Sequence, residues 1–437
     1  MHIRRWVIGI IGGALALLVA AVLVVTTLID PNRFRDEIEQ AVYEATGLPF
    51  ELHGNLDIGW FPWLAVQTGA ARLGSPTGAA EPPLIEWESA RVGARLVPLL
   101  RGRLVIDRIR LQGPRIYLRR TESGSNWDAL VSALGNGDTS ANRALPELAG
   151  LELRDGLLDY VDAQSGTHLR WTGWQLDLGA WNGREPLPVR LQAQLHEPIG
   201  AAIRLETRLD LPGTLDRIAL DGTRLDLRIG QDARSDAGVP VRLDIPRISV
   251  QRSPLAVAIP ELTLRIAEAT MVGEATIAES EDGLRAGGPL RLSVPSVREL
   301  LENLEIDVPA SRNPDVLGPL TATASWTFAK GALGVESIDA QIDQTRLTGR
   351  VLRPDGPEPV WTVELHADQV DFGQYVDADG RGDEPIERLV EALERLPVQG
   401  EITIARARLA DANMKNVRLR MQSGEAPEEP DLTDEGR

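Results

Sequence analysis

Five histidines are the first residues to test for chemistry: His2, His53, His168, His196 and His366. None stands three or four positions from another, so no helix face pairs two of them on a metal, and each reads as a surface or strand-face residue. The sequence holds no G-x-S-x-G, no Walker A stretch, no H-E-x-x-H and no G-x-G-x-x-G, the signatures of nucleophile elbows, phosphate loops, zinc proteases and dinucleotide sites. Cysteine is absent, which removes disulfides, thiolate nucleophiles and Cys-ligated zinc. Carboxylates are abundant enough to furnish a glycosidase-type pair. However, "DYVDAQSG" from Asp159 and "DFGQYVDADGRGD" from Asp371 read as strand ends entering loops, where Asp and Gly serve turns. "DADGRGD" lacks the closing Glu and the ligand spacing of a calcium loop. No catalytic residue, metal ligand or cofactor is assigned, and the chain reads as a non-enzyme.

The side chains that can do something are apolar and alternate. In "AIRLETRLDL", Ile203, Leu205, Leu209 and Leu211 point one way while Arg204, Glu206, Arg208 and Asp210 point the other. Period two is the mark of a strand with one buried and one solvated face. The same pattern recurs in "RLDLRIG" (Leu225, Leu227), "VRLDIP" (Leu243, Ile245) and "ELTLRIA" (Leu262, Leu264). Hydrophobic residues make up 43% of the 437-residue chain but aromatics only 4%, so whatever these faces bury is lined by aliphatics. Such a lining suits acyl chains: exposing one of about 16 carbons to water costs on the order of 12 kcal/mol at about 0.8 kcal/mol per CH₂. It suits the core of a two-sheet sandwich equally. The formal net charge of −18, with basic residues scattered singly, argues against nucleic acid as a partner.

The pattern also sets the elements that must position these faces. Trp6 to Ile29 carries no charged residue and as a helix spans roughly 36 Å, enough for a hydrocarbon core of about 30 Å. It is expected to be a retained membrane anchor, with Arg4 and Arg5 as its cytoplasmic flank and the bulk of the chain outside the cytoplasm, in the periplasm of a two-membrane bacterium. Pro31 and the spacing of Phe34, Ile38, Ala41, Val42 and Ala45 predict a short amphipathic helix closed by Gly47. Further helices are predicted at Asn126 to Gly135, at "SVRELLENL" behind the capping box of Ser296 and Glu299, and at "DEPIERLVEALERLP". The rest is strand after strand. The expected fold is mainly β: a transmembrane helix, then an elongated, curved, groove-like antiparallel sheet with a few short helices. The boundaries fall at 1–5 (cytoplasmic), 6–29 (anchor), 30–135 (α+β), 136–147 (linker), 148–424 (β-rich) and 425–437 (acidic, disordered tail).

The order of motifs resembles a known family. The anchor, "IDPNRFRDEIEQAVYEATG", "FPWL", "RLVPLLRGRLVIDRIRLQGPRIYLRR" and "NWDAL" are similar to the N-terminal region of AsmA-family proteins. "SVRELLENLEIDVP", "VELHADQVDFGQYV" and "VQGEITIARARLADANMKNVRLRM" are similar to the family's middle and later regions. Family members usually continue with more strands, so this chain resembles a short or C-terminally truncated member. The resemblance implies an inner-membrane-anchored periplasmic factor for outer-membrane biogenesis, and longer relatives imply a β-groove that carries phospholipid. It implies no catalytic residues.

Two functional classes lead over a third, a periplasmic enzyme that would show paired polar groups converging in a pocket. In one, the aliphatic faces hold or transfer phospholipid, with Ile203, Leu205, Leu209, Leu225, Leu227, Leu243, Ile245, Leu262 and Leu264 as groove lining. In the other, those residues are a closed core, and the chain is a scaffold or regulator that docks envelope assembly proteins by its charged faces or sheet edges.

Overall fold

The computed structural model describes residues 31–59, 63–74, 82–95, 98, 101, 105–135, 147–197, 200–211, 216–230, 238–280, 283–304, 306, 308, 311, 313–356, 360–375, 398–409 and 412–421. The expected anchor from Trp6 to Ile29, its flank Arg4 and Arg5, the helix at "DEPIERLVEALERLP" and the acidic tail lie outside these residues. No helix among the described residues is long and apolar enough to cross a membrane.

Pro31 to Phe34 forms a 3-10 turn leading into α1 (Arg35–Thr46). Gly47 ends it in the left-handed region, at φ 70°, with its N–H on the Tyr43 carbonyl, as the glycine predicted. Ile38 packs on a small core of Leu52, Leu56 and Ala71, together with Phe50 and Trp87. Two side chains tie this entry segment to the strands beneath it: Glu39 accepts from the Leu52 N–H at 2.8 Å and Asn32 from the Leu56 N–H at 3.0 Å. The other helices are α2 (Asp128–Gly135) and α3 (Val297–Asn303). At the start of α3 the Ser296 hydroxyl accepts from the Glu299 N–H at 3.2 Å, the forward half of the capping box.

The chain divides into two compact units, Met1–Leu215 with Leu225–Gly238 and Asp216–Arg224 with Val239–Arg437. The first contains short strands β1 (Phe50–Leu52), β2 (Leu56–Gly59), β3 (Trp63–Thr68), β4 (Ala71–Leu73), β5 (Ile85–Trp87), β6 (Ser89–Arg95), β7 (Val105–Ile106), β8 (Ile109–Gln112), β9 (Arg115–Thr121), β10 (Gly124–Ser125) and β11 (Glu147–Leu148). Four long ones come next: β12 (Leu151–Asp162), β13 (Thr167–Leu178), β14 (Leu187–Glu197) and β15 (Ala201–Asp210). β12 lies parallel to both β8 and β9, its residues 151–154 on Ile109 to Gln112 and its residues 157–162 on Arg115 to Arg120. On its other edge β12 starts an antiparallel run through β13, β14 and β15.

β16 (Arg217–Ile229) contributes its first part to the second unit and its last residues to the first. The second unit continues with β17 (Val239–Arg252), β18 (Leu255–Ile266), β19 (Ala269–Ser280), β20 (Gly283–Val294), β21 (Leu320–Ala329), β22 (Ala332–Ile342), β23 (Thr345–Arg353), β24 (Trp361–Asp371), β25 (Val398–Leu409) and β26 (Ala412–Met421). From β17 to β24 successive strands pair antiparallel with one another. β24 and β25 are parallel, and β26 returns antiparallel on β25. The fold is therefore mainly β, as predicted, but the sheet is mixed rather than antiparallel throughout. Alternation reports which face a side chain takes and carries no information on strand direction.

Two glycines in the second unit show how closely its strands approach. Gly349 and Gly400 sit at φ 148° and 136° inside β23 and β25. A Cβ at Gly349 would overlap the Glu364 carbonyl oxygen, and one at Gly400 the Val363 carbonyl oxygen. A side chain there meets both backbone strain and a neighbouring strand. Gly400→Ala is expected to destabilise the second unit by more than about 1 kcal/mol, measured as a lowered urea midpoint. Gly283→Ala, at φ 105° with open space around it, should cost less.

Candidate functional site

In the first unit the register brings Ala90, Leu111, Leu153, Leu176, Leu191 and Leu205 into one line across β6, β8, β12, β13, β14 and β15. On the same face Leu209 pairs with Leu187 and Ile203 with Ala193. In the second unit a single line runs through Leu243, Leu264, Met271, Leu292, Ala322, Ala340, Leu347, Ala367, Ile404 and Val417, from β17 to β26. β-bulges keep these lines on one face. In β18 the register shifts between Ile259 and Leu262, and in β22 between Val335 and Ile338. Each shift restores apolar residues to the side they had left.

Within each unit these faces are apolar and, among the described residues, have no second sheet packed over them. Ile203, Leu205, Leu209, Leu225, Leu227, Leu243, Leu262 and Leu264 are all half-buried, and of the proposed lining residues Ile245 alone is buried. The buried positions on the long strands are mostly short side chains: Ala193, Ala201, Ala219, Ala269, Ala275, Ala340, Ala367 and Ala407. Short side chains are shaded by their larger neighbours without any second layer. A sandwich core gives the opposite result, with its large aliphatics fully enclosed. Exposure is highest toward the margins. The cross-strand pair Val66 and Val92 is 40% and 46% exposed, and Leu284 and Phe328 are 46% and 37% exposed.

Trp171 and Trp174 meet edge to face on this side of the first unit, their centroids 6.4 Å apart. Their indole N–H groups are buried without a hydrogen-bond partner, which leaves unsatisfied donors in an aliphatic setting.

The opposite face is a lattice of ion pairs. Asp244 takes Arg224 Nε at 2.9 Å and Arg265 Nη1 at 2.9 Å. Its carboxyl is held below the usual carboxylate range, first by the Arg224 hydrogen bond. Arg346 grips Asp339 with two bonds, 2.8 and 2.7 Å, and Arg350 grips Glu364 with 2.9 and 2.8 Å. Both acids are likewise shifted down by these hydrogen bonds.

A shallow cavity of about 670 Å³ lies on this polar side of β23 to β26, among Thr348, Thr362, Glu364, His366, Glu401, Thr403 and Arg420. Its carboxylates are already engaged, Glu364 by Arg350 and Glu401 by Arg418 and Arg420. They offer no poised acid and base pair. Among the described residues no group of three His, Asp or Glu could hold a metal ion.

An open apolar face opposite an ion-paired one is thus the feature on which function must rest. Over residues 1–388 the sequence matches the AsmA family. The chain belongs to the AsmA family. It is 29% identical over 148 residues to Protein AsmA of Escherichia coli (strain K12), an alignment covering 33% of this chain and 24% of that protein. It therefore spans about a quarter of the length of the curated relative it matches. No solved structure matches.

For this AsmA-family chain, alternation placed Ile203, Leu205, Leu209, Leu243, Leu262 and Leu264 on apolar strand faces but missed much of those faces. Met271, Leu290 and Leu292 on β19 and β20 belong to it, as do Val351, Val363 and Leu365 on β23 and β24. Glycine and alanine interrupt the pattern there, and a bulge reverses its phase. Positive φ at the non-glycine Ser337 (52°) beside the β22 bulge leaves no mark in composition.

Because the Asp244 carboxyl titrates lower in the folded chain than in the unfolded one, its contribution to stability is complete above pH ~4 and is lost as pH falls through the lower folded value. Asp244→Asn should cost less than about 1 kcal/mol at neutral pH and flatten the acid limb of stability between about pH 2 and 5, read from urea midpoints.

Proposed function

We propose that this chain is a lipid-handling factor of the cell envelope, anchored in the inner membrane by Trp6 to Ile29 with Arg4 and Arg5 on the cytoplasmic side. Its β-rich part works in the periplasm and supports outer-membrane biogenesis. Phospholipid acyl chains lie along the uncovered aliphatic faces, on Ile203, Leu205, Leu209, Leu225 and Leu227 in one unit and on Leu243, Ile245, Leu262 and Leu264 in the other.

The pattern of exposure carries this reading: most large aliphatics on these faces are only partly buried, and alanines make up most of the buried residues on the long strands, with Leu153, Leu187, Ile245, Val294 and Ile404 as the larger exceptions. Soluble proteins rarely expose a contiguous apolar patch of more than a few hundred Å² unless it binds something. Acyl chains fit because they demand area and dispersion contacts and no specific polar partner. Membership of the AsmA family supports the same direction. A scaffold for envelope proteins is the second reading. It draws on β26, which among the described residues pairs on one edge only, with β25, and so offers an edge for strand addition.

The test is site-specific photo-crosslinking in cells, with a photoreactive residue at Leu205 or Leu292 on the apolar face and at Arg204 or Arg291 as outward controls. Phospholipid captured at the first pair and not at the second is the expected result. Adducts to protein alone at Leu205 and Leu292, with the chain folded, would sink the lipid reading in favour of the scaffold.

A further inference from the structure

The polar face of the first unit obeys a charge rule that fails at one place. One line of paired residues runs Gln67, Arg91, Arg110, Glu152, Asp177, Arg190, Glu206 from β3 to β15. Directly opposed residues stand about 5 Å apart at Cβ, where opposite charges help and like charges oppose. Two neighbouring pairs in this line are like-charged. The acidic pair, Glu152 and Asp177, is bridged by a protein cation: Arg154 from the adjoining line binds Asp177 through two bonds of 3.0 Å each and Glu152 at 2.9 Å. The Asp177 hydrogen bond raises the Arg154 pKa further. The basic pair, Arg91 and Arg110, has no such bridge. Arg110 reaches Glu152 at 3.6 Å, an acid already shared with Arg154 and with Arg108 at 3.9 Å. Arg91 makes no ion pair among the described residues.

A cavity of about 300 Å³ opens at this place, lined by Gln67, Ser89, Arg91, Arg110, Gln112, Glu152 and Arg154 beside the backbone of Ala90 and Leu111. That volume is at the small end for a ligand pocket. Its wall holds guanidinium, amide and hydroxyl donors against one lining carboxylate, which is turned to three arginines, while Gln112 gives one amide N–H to Asp155 at 2.6 Å. Planar guanidinium donors match the oxygens of a tetrahedral phosphate.

We propose that the cavity between Arg91 and Arg110 binds a phosphate group, which completes the charge pattern as Arg154 does for the acidic pair. The site lies on the polar face, so it does not rest on acyl chains occupying the apolar one. The phosphate belongs either to a lipid headgroup or to a free anion.

The experiment uses the full chain in detergent and tracks thermal melting at fixed ionic strength as chloride is exchanged for inorganic phosphate. The melting temperature of the parent chain should rise with phosphate. Arg91→Gln should weaken the apparent phosphate affinity about ten-fold or more, the effect of losing one charge-assisted bond of about 1.5–3 kcal/mol. Without phosphate the same variant should melt no lower than the parent, because a like-charge contact has been relieved. Arg110→Gln serves if Arg91→Gln fails to fold. Arg204→Gln, an exposed arginine on the same face of β15, should keep the full phosphate response.

A short-chain phosphatidylglycerol and the matching phosphate-free diacylglycerol separate the sources. Protection by the former at concentrations at least about ten-fold below inorganic phosphate, and none dependent on Arg91 from the latter, assigns a headgroup. Equal potency with inorganic phosphate assigns a free anion. Phosphate no better than chloride, or an undiminished response in both Arg91→Gln and Arg110→Gln, overturns the proposal.

Discussion

Alternation of side chains across a strand is the constraint on which the rest of this structure depends. Every second residue must leave on the same side, and on the long strands one side is aliphatic, with no second sheet over it among the described residues of each unit. Burial then comes from neighbours within the sheet rather than from a facing sheet. Leu205 is flanked in register by Leu191, which is flanked by Leu176, and each shades the next only in part. The ladder of backbone hydrogen bonds and the contacts within the sheet must supply most of what an enclosed core supplies elsewhere, because the exposed ion pairs of the other face add at most about 1 kcal/mol each. Cross-strand pairs are the unit of stabilisation in such a sheet, and charge order on the polar face avoids the cost of opposing like charges. The bidentate grips of Arg346 on Asp339 and Arg350 on Glu364 are examples of it.

The small N-terminal core differs in kind. Leu52, Leu56 and Ala71 are enclosed because α1 covers them through Ile38. On the long strands burial is more mixed: Leu153, Leu187, Ile245, Val294 and Ile404 are buried, the last in a cluster with Ala367 and Ala407, while most other large aliphatics are only partly buried.

Much of this could be read from the sequence. Pro31 and Gly47 bracketed the first helix, Ser296 and Glu299 marked the start of α3, and period two placed Ile203, Leu205 and Leu264 on apolar faces. Strand direction could not be read, since β24 and β25 have the same alternation whether parallel or antiparallel. Nor could the full extent of the face, because Gly273, Gly349 and Gly400 occupy apolar-face positions without apolar side chains. The arginine pair was invisible for another reason. Arg91 and Arg110 stand far apart in sequence, and only the register of β6 against β8 sets them opposite each other.

From β17 to β24 consecutive strands are bonded to one another in antiparallel pairs. That arrangement makes the second unit a nearly one-dimensional array, in which each hairpin interacts with the next and with little else. Apart from the long connection between β20 and β21 that holds α3, these contacts close short loops, so folding can spread from a hairpin to its neighbours without first fixing distant segments. The same arrangement makes the number of hairpins a free parameter. Adding or removing one preserves the two-residue phase on both sides of the junction, so the aliphatic surface can be lengthened or shortened in whole steps without redesigning what remains.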